Sequence, residues 1–177
     1  LLIPSGIINE FHEPPTFMSV ERPEYNSKII PTTWFDNGFA FYGAMGDFNW
    51  KVALTGDLDG DKIADGIRSA RRKGHYSRTD SWTKTFQGSW SGMEGLKVGG
   101  SMTMNDAPRG DDADGNAVNP VGVTLTEFNA TYSANNMYAR MENGKISYTD
   151  NGSVESSSGY YLDLGYDIAS LVGCGDG

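Results

Sequence analysis

From Leu96 to Asn105 apolar and polar residues take turns along the chain, with Leu96, Val98, Met102 and Met104 on one parity and Lys97, Ser101 and Thr103 on the other. Such a segment is a strand with one face suited to hydrocarbon and one to water. About ten alternating positions is the length a tilted strand needs to cross a bilayer, whereas strands of soluble sheets usually stop after five or six. The same pattern predicts strands over residues 1–8, 38–46, 49–56, 85–91 and 160–170. In the third of these Trp50, Val52 and Leu54 oppose Lys51, Ala53 and Thr55, and in the last Tyr160, Leu162, Leu164 and Tyr166 oppose Tyr161, Asp163, Gly165 and Asp167.

Two further segments, 123–133 and 137–149, change phase partway. Val123 and Leu125 share one parity and Phe128, Ala130 and Tyr132 the other, which predicts a bulge near Glu127 or a strand end standing above the apolar layer. Met137, Ala139 and Met141 pass out of phase with Ile146 and Tyr148 across Glu142, Asn143 and Gly144. A bulge is preferred there to a hairpin at Asn143-Gly144, whose arms would be too short to span.

The connections alternate in length. Tight turns are predicted at Asp47-Phe48, Gly92-Met93-Glu94 and Ala134-Asn135-Asn136, and long polar stretches cover 9–37, 57–84, 106–122 and 150–159. Short turns at one end and long loops at the other are the habit of an outer-membrane barrel with short periplasmic turns and long extracellular loops. The expected fold class is therefore all-β, an antiparallel transmembrane β-barrel, with residues 1–177 forming part of a single barrel domain. Trp50, Trp90, Phe48, Tyr132 and Tyr138 near the short turns, and Tyr148, Tyr160 and Phe86 near the loop ends, are placed as two aromatic girdles would be. Aromatic filling of a soluble sandwich core explains that distribution equally well.

Composition narrows the field. With 38% apolar residues and a mean hydropathy of -0.45, the chain has no run of about twenty apolar residues and so no transmembrane helix, while a membrane barrel tolerates this polarity. The net charge of -9 argues against nucleic acid as a partner. Cys174 has no second cysteine with which to form an internal disulfide. The opening Leu1-Leu2-Ile3 has the pattern of a strand interior, which suggests a fragment.

Several segments resemble the bacterial outer-membrane porins grouped with the phosphate-selective porins O and P. These are the blocks beginning Ile3-Pro4-Ser5-Gly6 and running through His12-Glu13-Pro14-Pro15-Thr16-Phe17, then Val20-Glu21-Arg22-Pro23, Ile29-Ile30-Pro31-Thr32-Thr33-Trp34 and Gly66-Ile67-Arg68-Ser69-Ala70-Arg71-Arg72-Lys73-Gly74. Gly92 to Gly99 and Gly159 to Tyr166 follow in the same order. The resemblance implies a trimeric barrel of roughly sixteen strands, of which about seven would lie here. It also implies a bacterial outer-membrane location, with lipid and lipopolysaccharide around the wall and small ions or solutes inside.

Candidate chemistry is of two kinds. Arg68, Arg71, Arg72 and Lys73 could line the approach of anions, since fixed positive charge concentrates them and guanidinium forks match phosphate oxygens. A solvated loop, or one holding lipopolysaccharide phosphates, would contain the same residues. Lys51, Lys97, Arg140 and Lys145 are candidates for the lumen wall beside Glu127, Glu142, Asp163 and Asp167, giving a lumen of mixed sign. The proline-rich segment 9–37 is long enough to fold inward, with Glu10, His12, Glu21, Arg22 and Lys28 at a constriction, or to seal itself against the wall through Phe11, Phe17, Ile29, Ile30 and Trp34. Asp57, Asp59, Asp61 and Asp65 stand at positions 1, 3, 5 and 9 of a loop that could hold Ca2+, although Lys62 replaces the usual glycine at position 6 and Arg68 the closing glutamate.

Catalysis finds no footing. His12 between Glu10 and Glu13 lacks the helical spacing of a metallohydrolase motif, and no serine sits in a nucleophile elbow. A non-enzymatic diffusion porin is the leading expectation. A soluble calcium-dependent β-sandwich binding module and a structural outer-membrane barrel without transport stand beside it.

Overall fold

In a computed structural model, residues 1–7, 9, 18 and 21–169 are described. Seven strands form one antiparallel sheet in chain order: β1 (Gly38–Met45), β2 (Phe48–Thr55), β3 (Thr83–Met93), β4 (Leu96–Ala107), β5 (Val121–Ala134), β6 (Met137–Thr149) and β7 (Ser156–Tyr166). Each pairs only with its neighbours in sequence, so the sheet is an open meander with free edges at β1 and β7. One short helix, α1 (Tyr25–Lys28), and a 3-10 turn over Gly60–Lys62 complete the regular elements of the described residues.

The turns follow from local chemistry. Between β5 and β6 both Asn135 (φ 53°) and Asn136 (φ 60°) take left-handed backbone, the type I′ geometry whose twist matches paired strands. Gly95 (φ 74°) serves the β3–β4 turn. The first hairpin turns at Gly46-Asp47, one residue earlier than expected, because Phe48 already pairs with Met45 and Trp90.

The phase changes in β5 and β6 are neither bulges nor a hairpin. β5 pairs without interruption with β4 over residues 121–132 and with β6 over residues 122–134, and β6 pairs with β7 from Met137 to Ser147. What changes is the surroundings of a regular strand. At the long-loop end Val121, Val123, Leu125, Ile146 and Tyr148 turn inward to a buried core completed by Leu58, Ile63, Ile67 and Ala70 from the 56–82 loop. At the short-turn end Phe128 and Met137 lie exposed on the opposite face. Among the described residues the strand register shifts between Trp90 and Met93 in β3, where it pairs with β4.

The expected first strand is absent: among residues 1–7 only Leu2 forms an isolated bridge, with Phe35. Residues 1–7 and 21–37 instead lie on one face of the sheet, burying Ile3, Ile29, Ile30, Tyr25 and Trp34 in the core. Fully burying an aliphatic side chain is worth about 1.5–3 kcal/mol, so these residues anchor the segment. This is the sealing role expected of Ile29, Ile30 and Trp34; Phe11 and Phe17 fall outside the described residues.

Candidate functional site

The candidate site is the inner face of the sheet and the segment lying on it. Register places Lys51, Gln87, Ser101, Glu127, Gly144 and Gly159 on one transverse row, with Asn49, Ser89, Gly99, Asn129, Glu142 and Tyr161 on the next. Lys97, Thr131, Arg140 and Asp163 form a third. The inner face is thus polar toward the short-turn end.

Two buried carboxylates hold the covering segment. Glu142 accepts a hydrogen bond from the Ile7 backbone N–H and another from Asn26 Nδ2 at 3.4 Å. Glu127 accepts from Ser101 Oγ at 3.0 Å and from Asn129 Nδ2, and the Ser101 hydroxyl meets that of Ser5 at 2.7 Å. Asn9 closes the segment on itself, donating to the Ile3 carbonyl at 2.8 Å and accepting from the Trp34 N–H at 2.8 Å. Each contact satisfies a polar group removed from water, which is the condition for burying it without penalty.

Glycine provides the space. A Cβ on Gly144 would lie 2.5 Å from Tyr25 Oη, and one on Gly159, its register partner, 3.3 Å from an Ile29 carbon. The pair is a shallow seat for α1. Beside it Arg140 donates to Asp163 at 2.6 Å and lies near the rings of Tyr138 (5.9 Å) and Tyr161 (5.7 Å), a cation held by a carboxylate and aromatic faces. Tyr138 and Tyr148 therefore belong to the inner face and not to an outer girdle, whereas Phe48, Trp90, Phe86 and Tyr160 are exposed on the other face.

Of the expected lumen residues, Lys51, Lys97, Arg140, Glu127, Glu142 and Asp163 share the inner face. Lys97 borders a small cavity of about 150 Å³ beside Gly6 and Ile7. Lys145 faces the other way, since it pairs with Thr126 on the parity of Met141 and Asn143, and Asp167 lies beyond the end of β7. In the covering segment Arg22 donates to the Thr32 hydroxyl and Lys28 to Asp65 at 2.8 Å, both near the loops. Glu21 is exposed, and Glu10 and His12 lie outside the described residues.

The basic cluster divides. Arg71 is structural, donating to the Thr32 carbonyl at 2.7 Å and the Arg68 carbonyl at 2.8 Å; burial, then neighbouring Arg68, holds its guanidinium below the ordinary pKa. Arg68 and Lys73 are exposed, and Arg72 turns toward Asp59.

The aspartates do not converge, and no group of three or more His, Cys, Asp or Glu side chains among the described residues could hold a metal ion. Asp57 accepts the N–H groups of Asp80 (2.6 Å) and Ser81 (3.1 Å), Asp59 takes Lys62 at 2.8 Å, Asp61 accepts from the Gly110 N–H, and Asp65 takes Lys28. The 1-3-5-9 spacing serves four separate tethers that tie the loop to itself and to its neighbours. Burial alone would raise the Asp59 pKa, but the hydrogen bond from Lys62 and the charge of Arg72 outweigh it and hold the carboxyl below its usual range.

Ser5, Tyr25, Asn26 and the Gly144–Gly159 seat were not legible as site residues. A signal was available in part: two glycines on the polar parity of adjacent strands mark a place where another part of the chain comes close.

Comparison with known proteins gives one clear relative, an uncharacterized protein of Aquifex aeolicus, 34% identical over 109 residues, which are 59% of this chain and 25% of the relative. The chain thus matches about a quarter of that protein's length. No protein-family profile and no solved structure matches the chain.

Proposed function

We propose that this chain is part of an outer-membrane β-barrel through which small hydrophilic solutes diffuse, with its N-terminal segment lying inside the barrel. The observation that carries this is an inversion of the usual arrangement. Phe39, Phe41, Met45, Phe86, Leu162 and Leu164 are exposed on one face of the sheet, while serine, threonine, asparagine and glutamate on the other are buried. Exposed apolar patches of this extent mark a surface meant for lipid or for a partner, and alternation over strands of 11 to 14 residues suits lipid.

The free edges at β1 and β7 leave room for further strands to close the sheet, since a membrane cannot accept an open edge. A relative about four times as long as its matched part is long enough for such a barrel. The resemblance to the porin O and P family points the same way and makes a homotrimer of larger barrels, surrounded by lipopolysaccharide, the expected assembly. Lys51, Lys97 and Arg140 are the cations of the inner wall that passing anions would meet, Arg140 being paired with Asp163.

The test is conductance of the full-length protein in planar bilayers. Stepwise ohmic channels are expected, with larger steps after deletion of residues 16–28 and a shift toward cations in Arg22→Glu. A protein that inserts but never conducts would be a structural barrel. One that stays monodisperse without detergent, its apolar face packed on a second sheet, would be a soluble module.

A further inference from the structure

We propose that the buried contact between the covering segment and the sheet holds a hard divalent cation of the calcium class, set among Glu127, Glu142, Asn26, Tyr25 and Tyr161. Register builds the place. Glu127 pairs with Gly144 across β5 and β6, and Glu142, the neighbouring inner-face residue of β6, pairs with Tyr161 of β7. Gly144 has no side chain to fill the space beside the two carboxylates, and Tyr25 Oη of α1 takes it, 2.5 Å from where a Cβ would stand. Asn26, the next residue of α1, brings its amide to Glu142 Oε2 at 3.4 Å.

Charge is the first reason to place a cation there. Glu142 is 0% and Glu127 6% exposed, yet neither has an ion-pair partner among the described residues. All 14 lysines and arginines of the sequence are described, and Arg140, on the same face, pairs with Asp163 at 2.6 Å. Two like charges buried without a counter-ion are costly. Unused oxygens are the second, independent reason. Tyr25 Oη, Asn26 Oδ1 and Tyr161 Oη are buried without a hydrogen-bond partner, on residues exposed by only 5%, 0% and 8%. Tyr161 Oη approaches Glu142 without forming a hydrogen bond of ordinary geometry. A half-turn of the Asn26 amide puts its oxygen where the long 3.4 Å contact now stands, and two oxygens at that separation are natural ligands of one ion. Only two of the five groups are carboxylates, and the others are neutral oxygens. Calcium takes oxygen ligands in flexible geometry, and its two charges cancel those of Glu127 and Glu142. Bound there, it would fasten α1 to the wall.

Terbium, a calcium mimic whose emission is excited through a tyrosine ring close to the ion, reads the site directly. Full-length protein in detergent, stripped with a chelator and titrated with terbium, should give saturable tyrosine-sensitised emission that calcium reverses at up to about millimolar concentration. Glu127→Gln and Glu142→Gln should each weaken terbium binding about tenfold. Tyr161→Phe, which keeps the ring and removes one oxygen, should weaken it less. Asp61→Asn, in the exposed part of the β2–β3 loop, should leave it unchanged. Calcium should also slow proteolysis of the 1–37 region in the parent protein and not in Glu127→Gln. Tyr161→Phe keeps the test valid if Glu142→Gln fails to fold. Absence of saturable emission would mean that protons or water neutralise and solvate the cluster, and would overturn the proposal. So would emission that falls with Asp61→Asn and is unmoved by Glu127→Gln and Tyr161→Phe. The outcome does not depend on whether the protein conducts.

Discussion

Along a single strand the two faces of this sheet obey opposite rules. In β4, Met102 is 40% exposed while its neighbour Thr103 is 1% exposed; in β7, Leu164 is 69% exposed while Tyr161 is buried against α1. In a water-soluble sheet the apolar face is covered and the polar face is wet. Here the covered face has the hydroxyls and carboxylates, with Glu142 and Ser101 joined to the N-terminal segment, and the uncovered face has the leucines, methionines and aromatic rings. The difference teaches that residues 1–7 and 21–37 cover the polar face of the sheet, and in the proposed barrel they are the inner lining of a wall whose other side meets lipid.

The sharpest way to break that comparison is to put the same charge on both faces. Val98→Lys or Leu164→Lys should cost about 2–4 kcal/mol in refolding from urea into lipid vesicles if these positions lie near the bilayer midplane. Ser89→Lys, on the inner face, should change stability by less than about 0.5 kcal/mol. Equal tolerance of both substitutions would leave the outer face facing water.

The next largest effect concerns how the lining is held. Glu142→Ala leaves the Ile7 N–H and Asn26 Nδ2 buried without their acceptor, which should cost about 1–3 kcal/mol and release the segment from the wall. Glu142→Gln keeps an acceptor oxygen and should lose less. Proteolysis of the 1–37 region in reconstituted protein reads the release directly. Gly144→Val tests the same anchorage sterically, because its Cβ would meet Tyr25 Oη at 2.5 Å. If protection from protease is unchanged in both Glu142→Ala and Gly144→Val, the segment is held by something other than these seats.

Much of this was legible in the alternation. The all-β antiparallel class, the outward parity of Leu96, Val98, Met102, Leu162 and Leu164, and the inward parity of Lys51, Lys97, Ser101 and Thr103 follow from period two and recur in the register. The phase changes of β5 and β6 were visible, but the bulge preferred for β6 and allowed for β5 is not there, and of the two causes given for β5 only a strand end in different surroundings agrees with the pairing. Period-two reasoning supposes one environment along a strand, whereas these strands meet an exposed face at one end and a loop core at the other. Tertiary contacts from Leu58, Ile63, Ile67 and the covering segment decide which parity is apolar, and no local signal encodes them. The aspartate spacing shows the same dependence on tertiary contacts: Asp57, Asp59, Asp61 and Asp65 fit a ligand template in one dimension, and in the fold Lys62, Lys28 and the amides of Asp80 and Gly110 engage them separately.

The smallest expected effect is on the loop side of the comparison, where ionic tethers are added to apolar packing. Asp59 and Asp65 both have carboxyls held below the ordinary aspartate value of 3.8, Asp59 against the effect of its own partial burial and Asp65 by the hydrogen bond from Lys28. A lowered folded pKa means that the tether contributes fully above the ordinary value and is lost as pH falls through the lowered one. Lys28 is the mirror case: its pKa is raised above 10.5 by the hydrogen bond from its side chain to Asp65, so its contribution is complete below that value and fades as pH rises through the higher one. Amide exchange in residues 56–82 should therefore show protection that is flat between about pH 5 and about pH 10 once the intrinsic rate is divided out, and that falls outside that window. The Lys28–Asp65 pair is largely exposed and screened, so Lys28→Gln should change protection little, and about 0.5 M salt should remove even that. Protection that already fell between about pH 5 and about pH 8 would show that groups other than these aspartates titrate in the loop's hold, and the ionic tethers would drop out of the comparison at its loop end.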